Sequence, residues 1–173
     1  MRYFFITQDK TLPCTMQYRD FDINGARHVF SRQEAERLSD DVVLYLAGSG
    51  TEARWDFLQC PVTMFSERFR DVLDAYEQDL FFQEVVLIHK ENSLQYRYVH
   101  TLMDEIDAVG EGTQYYPNGT VERLVLDSGK IGTHNLFMLS GNHRKDPIVS
   151  LALAESLLRR NPIGICFEEV EVE

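Results

Sequence analysis

The stretch VSLALAESLLRRNPIGICFEEV, Val149 to Val170, reads as a serine, a leucine-rich helix, a Pro-Gly break and a strand. Ser150 stands at the N-cap, Leu153 and Leu157 fall on one helix face, and Pro162 with Gly164 stop the helix. The run FSERFRDVLDAYEQDLFFQEV, Phe65 to Val85, repeats that order. Ser66 matches Ser150, Phe69 and Leu73 match Leu153 and Leu157, and FFQEV matches the closing strand. In the first copy Phe65, Phe69, Val72, Leu73 and Tyr76 make one apolar helix face. Two helix-then-strand units predict helices packed on a sheet, and fall short of the three repeats a solenoid needs.

Outward from these units, RYFFIT near the N-terminus reads as a strand. Residues 11–30 read as loop, punctuated by Pro13, Asn24 and Gly25. SRQEAERL predicts a short helix with a Ser31/Glu34 capping box, and VVLYLAGSG a strand entering a loop. FFQEVVLIH and the alternating SLQYRYVHTLM are further strands. TQYYPNGTVERLVL predicts a hairpin turning at Asn118–Gly119, so the NGT triplet is read as a turn rather than a glycosylation site. HNLFML is another strand after the turn DSGKIG. In the last strand, Ile163, Ile165 and Phe167 alternate and the parity then shifts to Val170 and Val172, which predicts a bulge. The expected fold is α+β over a single domain, 1–173: a mostly antiparallel sheet with about three helices packed on it.

Composition limits the function. The chain has 173 residues, 44% apolar and 26% charged, the balance of a folded protein with a sizeable core. Its formal charge is −11, from 28 Asp+Glu against 17 Lys+Arg, which disfavours nucleic acid and suits a basic partner. No apolar run reaches the roughly 20 residues of a membrane span, and MRYFFITQDK is too short for a signal-peptide core, so no membrane association and a cytoplasmic location are expected. Cys14, Cys60 and Cys166 are odd in number and widely separated, with no disulfide framework and no metal spacing.

Catalytic signatures are missing. Neither a Gly-x-Ser-x-Gly elbow nor His-Glu-x-x-His occurs, and GSGTEAR lacks the Gly-Lys-Ser/Thr ending of a phosphate loop. His28, His89, His100, His134 and His143 fall on different predicted elements. Asp104 and Asp107 would share a face if helical, a weak metal signal. No cofactor and no metal are expected. A Cys14–His28 pair is one of many that folding could assemble, and nothing in the sequence selects it.

Taken in order, RYFFIT, DFL at Asp56–Leu58, FSERFRDVL, YRYVHTLMDEIDAV and LFMLSG followed by the Val149–Val170 unit resemble a known layout. It is similar to the small bacterial immunity proteins of polymorphic toxin systems, in the group first catalogued as a domain of unknown function. The resemblance covers most of the chain, though GEGTQYYPNGT has no counterpart in it. It implies a non-enzymatic protein that binds a cognate toxin and neutralises it by occlusion. Exposed acids near predicted strand ends and turns are the candidate contacts: Asp40, Asp41, Asp104, Glu105, Asp107 and Glu111. A homo-oligomer is left open. The alternative is a small cytoplasmic hydrolase or transferase with a fold-assembled Cys/His or carboxylate site.

Overall fold

A computed structural model describes residues 1–11, 17–19, 42–47, 54–59, 62–78, 80–141 and 143–173. The predicted helix at 31–38, Cys14, Cys60, His28, Asp40 and Asp41 lie outside the described residues.

The chain opens with β1 (Tyr3–Gln8), β2 (Gln17–Arg19) and β3 (Val42–Ala47). β4 (Phe57–Leu58) and β5 (Met64–Ser66) lead through a 3₁₀ turn into α1 (Arg70–Tyr76) and β6 (Phe81–His89). Next come β7 (Leu94–Leu102), β8 (Glu105–Ile106), β9 (Gln114–Tyr115), β10 (Val121–Arg123) and β11 (Val125–Leu126). After α2 (Ser128–Ile131) and β12 (Leu136–Leu139), the chain ends in β13 (Ile148–Ser150), α3 (Leu151–Leu158) and β14 (Ile165–Val172).

The architecture is α+β, and the described residues form two six-stranded sheets and a separate two-stranded ribbon. One sheet has the order β11-β14-β1-β13-β12-β8, the other β2-β3-β6-β7-β5-β4, and β9 pairs β10. The expectation of a mostly antiparallel sheet is corrected, because both large sheets are mixed. β11–β14, β12–β8 and β3–β6 are parallel pairs. Each joins strands separated by a long excursion of chain, the condition under which a parallel pair can close.

The two repeated phrases hold their order in three dimensions. β5 and β13 are short, fully buried strands, each ending in its serine and leading into α1 or α3, which pack on each other. The Tyr76 hydroxyl meets Ser156 Oγ at 2.6 Å across that contact. The copies differ at their starts. Ser150 Oγ accepts from Leu153 N–H at 3.3 Å and caps α3, whereas Phe65 and Ser66 belong to β5 and Ser66 makes no capping bond. Below α1, the Glu77 carboxylate accepts the N–H groups of Asn135 at 2.6 Å and Leu136 at 3.1 Å, which fixes the start of β12.

Both faces of the first sheet are covered. Ile6, Leu136, Met138 and Val149 meet α1, α3 and the second sheet's Phe65 and Val99 in the central cluster. On the other face Tyr3, Phe5, Phe137, Ile148 and Val170 pack with Ala108, Leu126 and Ile131. A third cluster, around Trp55, Met64, Leu87 and Tyr98, belongs to the second sheet. Two-sided burial also explains the parity shift in β14. Ile165 and Phe167 pack on the central cluster, and Val170 and Val172 on the opposite one. The register with β1 runs unbroken from Tyr3↔Val170 to Gln8↔Ile165, so the predicted bulge there is corrected.

Candidate partner interface

β14 displays glutamates. Glu168, Glu169 and Glu171 are exposed along it, between residues that anchor the strand to the two cores. β11 pairs with β14 only at Val125↔Glu171 and Leu126↔Val172. Upstream, the chain leaves β14 to form the ribbon with β9, and a groove of about 380 Å³ opens between them. Phe5, Leu139 and Val170 give it an apolar floor, and Val121–Leu124 face Glu168–Glu171 across it.

Arginines partly neutralise this rim. Arg144 Nη1 donates to Glu168 at 2.9 Å, Arg123 pairs with Glu171, and Arg2 holds Glu169 through two hydrogen bonds of 2.6 and 2.8 Å. The bonds from Arg2 hold the Glu169 carboxyl below its ordinary range. Arg144 also lies over the Phe5 ring, 4.5 Å from its centroid. Glu122 lines the opposite wall.

The ribbon beside the groove ends in a three-residue loop. Gly119 N–H donates to Tyr116 O at 2.8 Å, and Gly119 has φ 81°, the left-handed region that this turn needs. The predicted Asn118–Gly119 hairpin is therefore present, with Asn118 Oδ1 accepting from Thr120 N–H at 3.0 Å. Tyr115 and Tyr116 are 50% and 49% exposed, and Tyr115 is the cross-strand neighbour of the groove residue Val121. An exposed tyrosine pair next to an acid-rimmed apolar groove combines the anchor chemistry and the charge of a protein-binding surface.

The acids singled out from sequence are placed differently. Glu105 lies on β8 and takes Lys145 Nζ at 3.0 Å, while Asp104 is half-buried and its carbonyl accepts Met138 N–H at 2.9 Å. Asp107 and Glu111 are exposed on the segment that runs from β8 toward β11. None of these four lines the groove. Asp104 and Asp107 share no helix, and the described residues contain no group of three or more His, Cys, Asp or Glu fit to hold a metal. Glu122, Glu168, Glu169 and Glu171, which do line it, were not singled out. For Glu168, Glu169 and Glu171 the sequence signal was FEEVEVE, whose acids flank core-facing valines; Glu122 lies outside it.

The four described histidines are dispersed. His134 Nδ1 meets Glu77 Oε1 at 2.9 Å, His89 is buried, and His143 lines the groove. His100 is the one that faces a second, smaller cavity of about 110 Å³, together with Gln59, Thr63, Thr101, Met138 and Lys145. Burial lowers its pKa to about 4, so the ring is neutral, and Nδ1 lies 3.3 Å from Gln83 Oε1. Cys166 is exposed, and burial of its sulfur, then Asp9 nearby, raises the thiol pKa, which disfavours the thiolate. No protein-family model matches the chain, and no curated protein matches it in sequence.

Proposed function

We propose that the chain is a non-enzymatic immunity protein that binds a cognate bacterial toxin in the cytoplasm and neutralises it by occlusion. The observation that carries this reading is the acid-rimmed groove beside the exposed Tyr115–Tyr116 pair. Tyrosines offer large contact area at low entropic cost, and the rim acids suit a basic cleft on the toxin. The −11 charge steers such a partner and speeds its encounter. The family-like order of sequence motifs points the same way. Co-expression with the toxin encoded beside it tests the proposal: the immunity reading expects survival of the cells and a stoichiometric complex on purification. Death of the cells, with no complex recovered, would sink it.

The reading as a small hydrolase or transferase rests on one feature, the neutral His100 ring in its small cavity. If His100→Gln abolished protection while leaving complex formation intact, chemistry at that ring would replace occlusion as the mechanism.

A further inference from the structure

β14 keeps an open edge. Asp9 N–H donates to Gly164 O at 3.0 Å, and with the register this turns the backbone of Cys166, Glu168 and Val170 toward β1. The N–H and C=O groups of Ile165, Phe167 and Glu169 therefore point the opposite way. On that side Glu173 N–H donates to Leu126 O at 2.8 Å, which fixes the same parity at the strand's end. β11 pairs only with Glu171 and Val172, so from Ile165 to Val170 no described strand pairs with the outer side. The other sheet-edge strands are two or three residues long, which blunts them as templates.

We infer that this edge takes up an extended, basic segment of the partner as an added strand, bound through main-chain hydrogen bonds to Ile165, Phe167 and Glu169. The inference deepens the toxin-binding reading and rests on it for the identity of the partner. Charge selects the occupant. A second copy of the chain would set its own glutamates against these, whereas lysine or arginine at alternate positions would meet Glu169 and Glu171, which share one face of the strand. The groove lies alongside, where β10 diverges from β14, and offers Val170 and Phe5 to the apolar residues of the incoming strand.

The test uses the full ¹⁵N-labelled chain and a synthetic octapeptide of alternating lysine and valine, with a glutamate–valine octapeptide as its counterpart. At millimolar lysine peptide, amide exchange at Ile165, Phe167 and Glu169 slows by about tenfold or more, while Cys166 and Glu168, already bonded to β1, change little. The acidic peptide has no effect. Glu169→Pro removes the outward N–H together with the carboxylate and weakens peptide binding by about tenfold, whereas Glu169→Gln, which removes the charge and keeps the N–H, stays within about threefold of wild type. Unchanged exchange at the three amides overturns the inference, and so does equal protection by the acidic peptide or an equal loss in both variants. Concentration-dependent dimerisation that protects the same amides without peptide would assign the edge to a second copy and also overturn it. If the basic peptide binds this edge but the neighbouring toxin forms no complex, the edge stands and the immunity reading falls.

Discussion

The buried carboxylate of Asp56 is gripped by Arg68, whose Nε donates to Oδ1 at 2.8 Å while Nη2 pairs with Oδ2. The same carboxylate accepts Ile163 N–H at 2.7 Å, and Arg68 donates to the carbonyls of Arg160 at 3.0 Å and Asn161 at 3.2 Å. Three sequence segments, DFL, SERFR and RNPIG, thus close one polar knot that fastens the end of α3 to the second sheet. Four of the five guanidinium N–H donors are committed within this knot, so its residues build the scaffold.

Asp56→Ala leaves a guanidinium and a buried N–H without their acceptor. Breaking a buried pair costs about 3–5 kcal/mol, but Arg68 is 40% exposed and can recover water, so roughly 2–3 kcal/mol is expected. Arg68→Lys keeps the charge, loses the fork, and falls between wild type and Asp56→Ala. Urea midpoints of the three proteins check the order.

The two serines of the repeated phrase are expected to differ. Ser150→Ala removes the α3 cap and the 2.7 Å bond to Asn135 Oδ1, at a cost of about 1–2 kcal/mol. Ser66 makes no capping bond, and among the described residues its hydroxyl meets Arg54 Nη2 at 3.4 Å, so Ser66→Ala should cost less than about 1 kcal/mol. Equal losses in chemical denaturation would mean that the repeat is energetically symmetric after all.

This asymmetry marks what could be read from sequence. Elements with one buried face were legible: β6 buries Gln83, Val85, Leu87 and His89 in strict alternation. The Pro117–Gly119 turn was legible because its chemistry is local. β7 alternates only at first and is wholly buried from Tyr98 to Leu102, because there both faces of the sheet are covered. β14 changes its buried face midway for the same reason, which a period-two reading takes for a bulge. The groove draws on residues 5, 121–124, 139, 143–144 and 168–171, segments that only the sheet order brings together. Asp107 and Glu111 are exposed as expected, but Asp104 and Glu105 are half-buried, and the pairings that distinguish Glu105 from Glu168 are long-range.

Gly164 supports the single tryptophan. Its φ is 78°, and a Cβ there would sit 3.0 Å from Trp55 Cγ, whose ring is buried. Gly164→Ala combines backbone strain with that clash and costs roughly 1–3 kcal/mol. Trp55 is the chain's only tryptophan, so its emission should shift to the red as its packing loosens. An unshifted spectrum together with an unchanged urea midpoint would show that the site absorbs a methyl group.

His100 makes stability depend on pH. Its folded pKa of about 4 lies below the ordinary 6.5, so between those values the unfolded chain binds the proton that the native chain refuses. Stability from this group is fully present above about pH 6.5 and is lost as pH falls toward 4, a change of roughly 3 kcal/mol. His100→Gln cannot titrate, and its stability should fall less steeply over that window. Parallel pH curves for the two proteins would place the titration elsewhere.

Tyr115 and Tyr116 separate binding from folding. Both rings are about half exposed on the ribbon, away from the three core clusters, so Tyr115→Ala with Tyr116→Ala should move stability by less than about 0.5 kcal/mol. If the toxin docks beside the acid-rimmed groove, losing two aromatic anchors at its margin weakens the complex by about 10- to 100-fold. The loss should appear mainly in the dissociation rate, because the acids that steer encounter remain. Charge reversal of Glu122 to lysine acts on the other side of the kinetics, lowering the association rate and its salt dependence with little change in dissociation. Surface-based kinetics on the purified complex distinguish these effects. Wild-type rates in the double tyrosine variant would move the interface away from the ribbon.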